Sequence, residues 1–353
     1  MEYPPVSVVM PVRNEERHLA EAVRHVLAQD YPGPLEVVLA VGPSHDRTEQ
    51  IARDLGDSRV TVIANPSGRI PAGLNAGRRA ARYDVIARVD GHALLPPGYL
   101  RTAVAALAET GAADVGGIMA AEGVTPFERA VAWGMTSRAG VGAAAFHTGG
   151  RAGPADSVYL GVYRREAIEE AGGYDEQMLR AEDWELNYRI RARGRLIWFT
   201  PELRITYRPR ASVGALGTQY FHYGRWRRVI VREHPETATF RYLAPPGAAA
   251  LVAAGLLAGL AGLAGIAAGA PATVGWLAAG FVIPVTYLAG ITAVTAALSR
   301  KVPAGVRVRL PVVLATMHMC WGSGFLTSPR RLHRVRGRST TARSGQMIVD
   351  ARE

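Results

Sequence analysis

The sequence contains a single cysteine, Cys320, among 353 residues. One cysteine excludes an internal disulfide and any metal cluster of cysteine and histidine ligands, and it fits a reducing compartment. The first residues, Met1 to Pro5, also lack the basic start and apolar core of a signal peptide. We therefore expect the first domain to stay in the cytosol.

Aromatic residues make up only 7% of the chain, and no nucleic-acid-binding motif is present. The formal net charge is nevertheless +11. An excess of this size predicts a polyanionic partner, which can be nucleic acid, an anionic membrane surface or a phosphate-bearing substrate. Because no recognition motif accompanies the charge, we predict no nucleic-acid partner.

Charged residues are missing altogether from Pro245 to Leu298. The stretch is long enough for two membrane spans of about twenty residues each, and a Gly-Ala-Pro turn at 269–271 divides it. We predict transmembrane helices at about 246–269 and 274–298. By the positive-inside rule, the basic residues that follow place the next loop in the cytosol, so that the spans form a hairpin. These residues are Arg300, Lys301, Arg307 and Arg309.

A third apolar segment, 310–327, has arginines on both flanks and contains His318. Charge on both sides favours a re-entrant or interfacial helix, and a true span stays open as the alternative. Together with the two spans it forms a predicted membrane domain, residues 245–328. The remaining tail, 329–353, is basic and then polar, and we expect it to be disordered or to lie on lipid headgroups.

The segment ahead of the apolar region, residues 211–244, is amphipathic and strongly basic. Arginines and aromatic residues alternate between Ser212 and Glu233. This pattern is typical of a helix at a membrane interface, with cations towards the headgroups. An ordinary surface helix with one core face is the alternative.

The first 210 residues alternate short apolar runs with helical patterns. Strands are expected at 6–10, 36–41, 60–64 and 85–90, separated by helices, and short strands follow at 196–199 and 204–207. Strands and helices in this order predict an α/β domain with a mostly parallel, Rossmann-like sheet.

The most informative stretch is Val85 to His92, where an apolar run ends in Asp90-Gly91-His92. Ligands of open α/β sheets bind at the carboxyl ends of the strands. Asp90 and His92 are both ligand types for a divalent ion, which in turn can hold a diphosphate. The alternative is a strand that ends in a polar turn.

Seven motifs occur in one order along the chain: Val8 to Glu15, Ser44 to Thr48, Asn65 to Gly77, Arg88 to His92, Gly172 to Glu176, Glu182 to Glu185, and Gln219 with Gly224 to Trp226. In this order they resemble inverting glycosyltransferase family 2, enzymes of the GT-A fold. The resemblance covers about residues 6 to 230. It is strongest to the succinoglycan-biosynthesis, ExoA-like branch, which is membrane-attached and extends lipid-linked sugars.

The resemblance implies a role for each motif. Asp90 and His92 would bind Mn²⁺ or Mg²⁺ on the sugar-nucleotide diphosphate, and Asp183, beside Glu182, would be the catalytic base. The nucleotide-sugar would contact a larger set: Pro11, Arg13, Glu15, Asp46, Asn75, Arg88, Asp90, Gln219, Arg225 and Trp226. Three simpler roles stay open: Asp46 as a turn and cap residue, Asp183 as a helix cap, and Trp226 as an interfacial anchor.

The sequence departs from the family at two places. Val41-Gly42 stands where many members carry two carboxylates, one of which pairs with uracil, and the gap between Gln219 and Arg225 is wider than in processive members. A UDP-sugar is still the favoured donor, and the base and processivity stay open.

The implied function is transfer of a sugar to a polyprenyl-diphosphate-linked saccharide, on the cytosolic face of a bacterial plasma membrane. Two alternatives stay open: transfer to polyprenyl phosphate itself, and a catalytically degenerate membrane scaffold.

Overall fold

The computed structural model describes residues 3–333, so the predicted tail lies almost wholly outside the described residues. Eight strands form one sheet in the order β3-β2-β1-β4-β7-β5-β8-β6. They are β1 Val6–Val12, β2 Leu35–Val41, β3 Val60–Ala64, β4 Val85–Arg88, β5 Asp114–Ala121, β6 Gly153–Pro154, β7 Tyr159–Arg164 and β8 Ile197–Tyr207.

The sheet is mixed and, as expected, mostly parallel: six of the eight strands in the described part of the chain run in one direction, and β6 and β7 run in the other. β1 to β4 pair in parallel, as predicted. β7 enters between β4 and β5 and runs antiparallel to both, and β6 is antiparallel to β8. β7 begins at the edge of the sheet where β5 ends, so it runs in the reverse direction. Local hydrophobic patterns do not encode this reversal.

The strand β8 also differs from the prediction. Two short strands were expected at 196–199 and 204–207, but one strand runs through both. Its register against β5 shifts between Gly116 and Ile118, as in a β-bulge. Pairing with β5 stops after Phe199 and resumes at Arg204, so the predicted interruption is present as an irregular stretch within one continuous strand.

Helices cover both faces of the sheet. Nine lie in the first 210 residues: α1 Leu19–Leu27, α2 Thr48–Asp54, α3 Ile70–Ala80, α4 Tyr99–Thr110, α5 Pro126–Thr136, α6 Arg138–Val141, α7 Ala145–Thr148, α8 Arg165–Glu170 and α9 Glu182–Ala192. Val8 and Met10 of β1 join a core with α1, α2 and α4, whereas Val9 joins a core with α3, α8 and α9. Alternate residues of a buried strand thus serve opposite faces.

The rest of the described chain is helical. It comprises α10 Val213–Glu233, α11 Phe240–Ala267, α12 Ala272–Gly275, α13 Val282–Leu298, α14 Ala304–Arg307 and α15 Leu310–Leu326, with 3₁₀ turns at Pro235–Thr237, Trp276–Phe281 and Arg330–Leu332. Two stretches, Phe240–Ala267 and Ala272–Leu298, are long and apolar enough to cross a membrane. The first begins at Phe240 rather than near residue 246, and it includes Pro245 and Pro246.

The helix α15 covers the third apolar segment and packs against α10 and α11. Contact with α10 is close enough to require glycine on both sides. A Cβ atom on Gly224 would lie 1.9 Å from the Trp321 carbonyl oxygen, and one on Gly324 would lie 2.0 Å from that of Phe221. The interfacial role of this segment and the domain boundaries at 210, 244 and 328 stay predictions.

Candidate active site

The loops that follow β1 and β2 are joined by hydrogen bonds at the carboxyl edge of the sheet. The Asp46 carboxylate accepts from the Glu16 amide at 3.1 Å and the Thr48 amide at 3.0 Å. The Asn14 side chain accepts from the His45 amide at 2.9 Å, and Asn14 itself has a positive φ of 56°. Such a conformation is unfavourable for a side-chain-bearing residue and is common at functional sites. Asp46 thus caps a turn here and braces the predicted nucleotide loop.

Pro11 and Arg13, just before this loop, differ in exposure. Pro11 is buried within β1, whereas Arg13 is exposed and donates from Nε to the Pro43 carbonyl at 3.1 Å. Their contacts with a nucleotide stay predictions.

Gly42 occupies the position of the missing carboxylate, and the turn after β3 lies directly against it. A Cβ atom on Gly42 would lie 2.9 Å from the Gly68 Cα, which is closer than such contacts allow. The backbone of Gly68 therefore fills the space near the place where a base-pairing carboxylate would stand. This geometry accounts for the glycine, and recognition of the base stays open.

The Asp90-Gly91-His92 turn packs against the loop after β1. A Cβ atom on Gly91 would lie 2.9 Å from Val12 Cγ1 and 3.1 Å from Glu15 Cγ, so only glycine permits this approach. The approach brings His92 Nδ1 to 2.8 Å from Glu15 Oε1. This hydrogen bond raises the pKa of His92, although burial acts in the opposite direction. With Nδ1–H donating to Glu15, the lone pair lies on Nε2.

Arg88, the last residue of β4, gathers three carboxylates. Its guanidinium lies 3.2 Å from Asp90 Oδ1 and 3.0 Å from Glu182 Oε1, and it also contacts Asp183 Oδ1. The Arg88 side chain is 7% exposed, and those of Asp90 and Asp183 are 22% and 24% exposed. One buried cation therefore holds the predicted metal ligand and both predicted catalytic residues in a single cluster.

The electrostatics of this cluster favour full ionisation of Arg88. Burial disfavours its charged form, but Asp90 and Glu182 outweigh burial and raise the pKa of Arg88 above its ordinary value. With all three carboxylates ionised, the cluster carries two negative charges that Arg88 does not neutralise. Excess negative charge at the edge of a sheet favours binding of a cation.

The helix α9 carries Glu182 and Asp183 at its first two positions. Ala181, immediately before it, has φ of 60° in the left-handed region. A non-glycine residue is strained there, typically by about 1 to 3 kcal/mol. The acidic residues also favour the positive end of the helix dipole, so capping and catalysis are compatible roles for Asp183.

Asn75 lies apart from the cluster. It is buried, and its side chain donates to the Tyr174 carbonyl at 2.8 Å and to Glu176 at 3.0 Å, while its oxygen accepts from the Tyr174 amide at 2.9 Å. Both ends of the amide are thus occupied by the 172–176 loop. This placement is that of a loop-positioning residue, and direct binding of the nucleotide-sugar stays a prediction.

Gln219, Arg225 and Trp226 all lie on α10 but point to different surroundings. Gln219 donates to Tyr207 Oη at 2.8 Å and to Tyr223 Oη at 2.7 Å. Trp226 is 4% exposed and packs with Met178 in a small core. The Arg225 guanidinium lies 5.5 Å from the Phe221 ring centroid. Trp184, which follows Asp183, packs against the same core, and a contact of Trp226 with the substrate stays a prediction.

Arg227, which is not among the predicted site residues, connects α10 to α9, the helix that carries Glu182 and Asp183. Its guanidinium lies 4.2 Å from the Trp184 ring centroid and 3.3 Å from that of Tyr242. Burial lowers the pKa of Arg227 to about 10. Trp184 follows Asp183 directly, so this cation–π contact fixes the start of α9. Its partners are far apart in sequence, so no local motif could have indicated it.

Asp90 and His92 can hold a metal ion only if waters or a bound substrate supply the remaining ligands. Within residues 3–333, no group of three or more His, Cys, Asp or Glu side chains is placed to enclose an ion. However, Asp90 Oδ2 and His92 Nε2 have no hydrogen-bond partner in that part of the chain. Ions in such sites keep waters and take phosphate oxygens as further ligands. Two protein ligands therefore suit a metal bound together with a diphosphate.

Comparison with known proteins decides the family. The family model described as glycosyl transferase family 2 matches residues 7–172. The succinoglycan biosynthesis protein ExoA of Rhizobium meliloti is 31% identical over 325 residues, which is 90% of this chain and 93% of that protein. The chain belongs to glycosyltransferase family 2. The predicted resemblance, including the ExoA-like branch, is confirmed.

Two further glycosyltransferases are similar to this chain at lower sequence identity. A Methanococcus voltae enzyme, dolichyl N-acetyl-alpha-D-glucosaminyl phosphate 3-beta-D-2,3-diacetamido-2,3-dideoxy-beta-D-glucuronosyltransferase, is 22% identical over 65% of this chain and 74% of its own. The mannosyltransferase PcManGT from Pyrobaculum calidifontis, solved with GDP-Man and Mn²⁺, has a TM-score of 0.59 and 21% identity over 93% of this family 2 chain and 88% of its own. The second likeness supports the fold.

Proposed function

We propose that this family 2 chain is an inverting, metal-dependent glycosyltransferase. It transfers one sugar from a nucleotide-sugar, with a UDP-sugar as the favoured donor, to a saccharide carried on polyprenyl diphosphate. The observation that carries the proposal is the Arg88 cluster, which places Asp90, Glu182 and Asp183 together at the carboxyl edge of the sheet. Ligands of α/β sheets bind at this edge.

Asp183 is the proposed general base. The acceptor hydroxyl must lose a proton as its oxygen attacks the anomeric carbon, and a carboxylate opposite the departing nucleoside diphosphate can take that proton. One displacement of this kind inverts the anomeric configuration. Arg88 contacts Oδ1 of Asp183, which leaves Oδ2 for the acceptor, and the more buried Glu182 helps to hold Arg88 in place.

Asp90 and His92 would hold the divalent ion. When bound, the ion acts as a Lewis acid that neutralises charge on the diphosphate. An imidazole ligand is softer than a carboxylate, which favours Mn²⁺ over Mg²⁺. The Mn²⁺ bound to the similarly folded Pyrobaculum mannosyltransferase motivates this assignment.

The names of two relatives support the acceptor. One acts in succinoglycan biosynthesis, and the other transfers to a sugar phosphate on dolichol. We extend both to this chain as polysaccharide synthesis on a lipid carrier. A polyprenyl phosphate acceptor is already nucleophilic and needs no base, so Asp183 favours the saccharide acceptor.

The two long apolar stretches are proposed to span a bacterial plasma membrane, with the sheet domain on the cytosolic face. Their large side chains are exposed, as in Leu257 at 70%, Val285 at 62% and Leu298 at 62%. Continuous apolar surfaces of this kind are characteristic of contact with lipid or protein.

Nucleotide release from the full chain in nanodiscs tests the proposal. UDP-glucose, UDP-galactose and GDP-mannose are supplied with lipid extract and Mn²⁺ or Mg²⁺. We expect release from one donor, its loss on chelation, and a decrease of at least about 100-fold in Asp183→Asn, since general bases typically contribute that much. Donor binding measured by calorimetry should stay unchanged.

Asp156→Asn is the matched control, because Asp156 is 72% exposed and, within residues 3–333, forms an ion pair with Arg191 alone. Full turnover in Asp183→Asn would contradict its role as the base. Absence of both nucleotide binding and release would instead favour the scaffold hypothesis.

A further inference from the structure

Two cavities adjoin each other where the sheet domain meets the apolar helices. The first, of about 520 Å³, lies among α6, α10, the start of α11 and α15. The second, of about 640 Å³, lies between α13 and α15. Ala139 and His318 line both cavities, so the two spaces share a wall. The position of α13 in a candidate span puts the second cavity at the membrane side.

The two cavities differ in chemistry. The first contains the cations Arg138 and Arg241, together with His147 and Tyr223, and no acidic residue. The second is lined mainly by aliphatic side chains such as Ile283, and it too has no acidic residue. A charged compartment beside an apolar one fits an amphiphile, with an anionic head in the first and a hydrocarbon chain in the second.

The polar groups of the first cavity are available to a ligand. Neither Arg138 nor Arg241 forms an ion pair within residues 3–333. Arg241 donates from Nε to the Val141 carbonyl at 3.0 Å, and its guanidinium lies 5.0 Å from the Tyr242 ring centroid. His147 Nδ1 is buried without a partner in that part of the chain. Burial and the Arg241 charge lower the pKa of His147 to about 3, so the ring is neutral. Unpaired guanidinium groups are well suited to phosphate oxygens.

The first cavity also adjoins the candidate active site. Tyr223 lines it, and Gln219, a predicted site residue, donates to the Tyr223 hydroxyl. Gln219 accepts in turn from Arg210 at 3.3 Å, and the charge of Arg210 acts on His92. Tyr223, Gln219 and Arg210 therefore connect the wall of the first cavity to the surroundings of His92.

We propose that the two cavities bind the lipid carrier of the acceptor, a polyprenyl diphosphate. Its phosphates lie against Arg138 and Arg241, and its isoprenoid chain passes His318 into the cavity between α13 and α15. This inference rests on the proposed function, because it names the part of the protein that holds the acceptor for transfer.

Binding of undecaprenyl diphosphate to the full chain in phosphatidylcholine nanodiscs tests the inference. We expect about tenfold or greater weakening in the double variant R138Q/R241Q, measured by native mass spectrometry. The charge-preserving variant R138K/R241K should recover most of the affinity. R300Q/R307Q is the matched control, since these basic residues lie outside both cavities. Equal affinity of R138Q/R241Q and the unchanged chain would overturn the proposal.

A second measurement needs no variant. A polyprenyl diphosphate with a photoreactive chain should crosslink to peptides from α13 and α15, and crosslinks confined to other helices would overturn the proposal. Equal displacement by phosphatidylglycerol would show a site for bulk lipid and would overturn it as well. Lipid binding without nucleotide release from any donor would contradict the proposed function alone, whereas normal nucleotide release without lipid binding would contradict this inference alone.

Discussion

Two sides of the site are built in different ways. The nucleotide side consists of the loops after β1, β2 and β4, residues 13–16, 42–48 and 90–92. Backbone amides there donate to short polar side chains, as in the bonds from Glu16 to Asp46 and from His45 to Asn14. The acceptor side consists of α6, α7, α10, α11 and α15. Arginines there lie over aromatic rings, as Arg227 does over Trp184 and Tyr242, and two cavities open between helices.

The difference reflects the ligands that the two sides are proposed to hold. A nucleoside diphosphate is small and rigid, so backbone groups at strand ends can bind it, and close turns such as Gly42 against Gly68 shape the loops. A lipid-linked saccharide is long and amphiphilic, so it needs an extended surface with a polar and an apolar part. Arg88 connects the two sides through α9, because it contacts Asp90 and Glu182, and Trp184 of the same helix lies under Arg227 of α10.

The largest effect is expected from a substitution that removes the connection made by Arg88. Arg88→Leu leaves Asp90, Glu182 and Asp183 without their shared cation, and an uncompensated buried charge costs about 3 to 5 kcal/mol. We expect a matching decrease in the free energy of unfolding, with partial recovery on addition of Mn²⁺, measured by thermal unfolding in nanodiscs. The exposed Arg79, in α3, supplies the control Arg79→Leu. A decrease no larger than in that control would show that the cluster does not stabilise the fold.

A smaller effect is expected from a substitution that changes only the nucleotide side. Glu15→Ala removes the carboxylate that orients His92, and loss of such a partner typically weakens metal binding by about 10- to 100-fold. We expect weaker Mn²⁺ binding in the presence of UDP or GDP, measured by electron paramagnetic resonance, with the fold unchanged. Glu16→Ala is the neighbouring control, because Glu16 pairs with Arg47 instead. Equal Mn²⁺ affinity in both variants would leave Glu15 with its predicted role at the base and ribose.

The same contrast explains what the sequence could predict. Motifs on the nucleotide side are contiguous, so their spacing indicated the first four strands, Asp90 at a strand end, and the capping role of Asp46. The sequence predicted the members of the carboxylate cluster one by one but not their contacts, because tertiary packing brings Arg88 and Asp183 together. The three carboxylate partners of Arg88 were not foreseen, and its contact with the nucleotide-sugar stays a prediction.

On the acceptor side, the sequence could not indicate contacts between residues that are distant along the chain. Trp226 is expected at the substrate because it follows an arginine in a familiar motif; its packing in a core with Met178 was not foreseen, and the substrate contact stays a prediction. Arg138 and Arg241 carry no local pattern, and only the packing of α6 beside α11 brings them to one cavity. The direction of β7 was hidden for the same reason, because strand pairing is a property of the whole chain.

The smallest expected effect concerns a contact at the far end of the acceptor side. His333 Nε2 lies 2.8 Å from Asp175 Oδ2, and Nδ1 forms an ion pair with Glu233 at the end of α10. Asp175 first, and then Glu233, raise the pKa of His333 to about 10. Because the folded pKa lies above the unfolded one, the stabilisation is fully present below pH 6.5 and is lost as the pH rises through about 10.

We expect His333→Gln to lower the free energy of unfolding by about 1.5 kcal/mol at pH 6, as for a hydrogen bond to a charged group, and by less at pH 10. Chemical unfolding at several pH values measures both. The exposed His45 provides the control His45→Gln, which should leave the pH profile unchanged. If the difference in unfolding free energy between wild type and His333→Gln does not vary with pH, His333 acts by packing. The acceptor side would then have no ionic contact through His333 between α10 and the 172–176 loop.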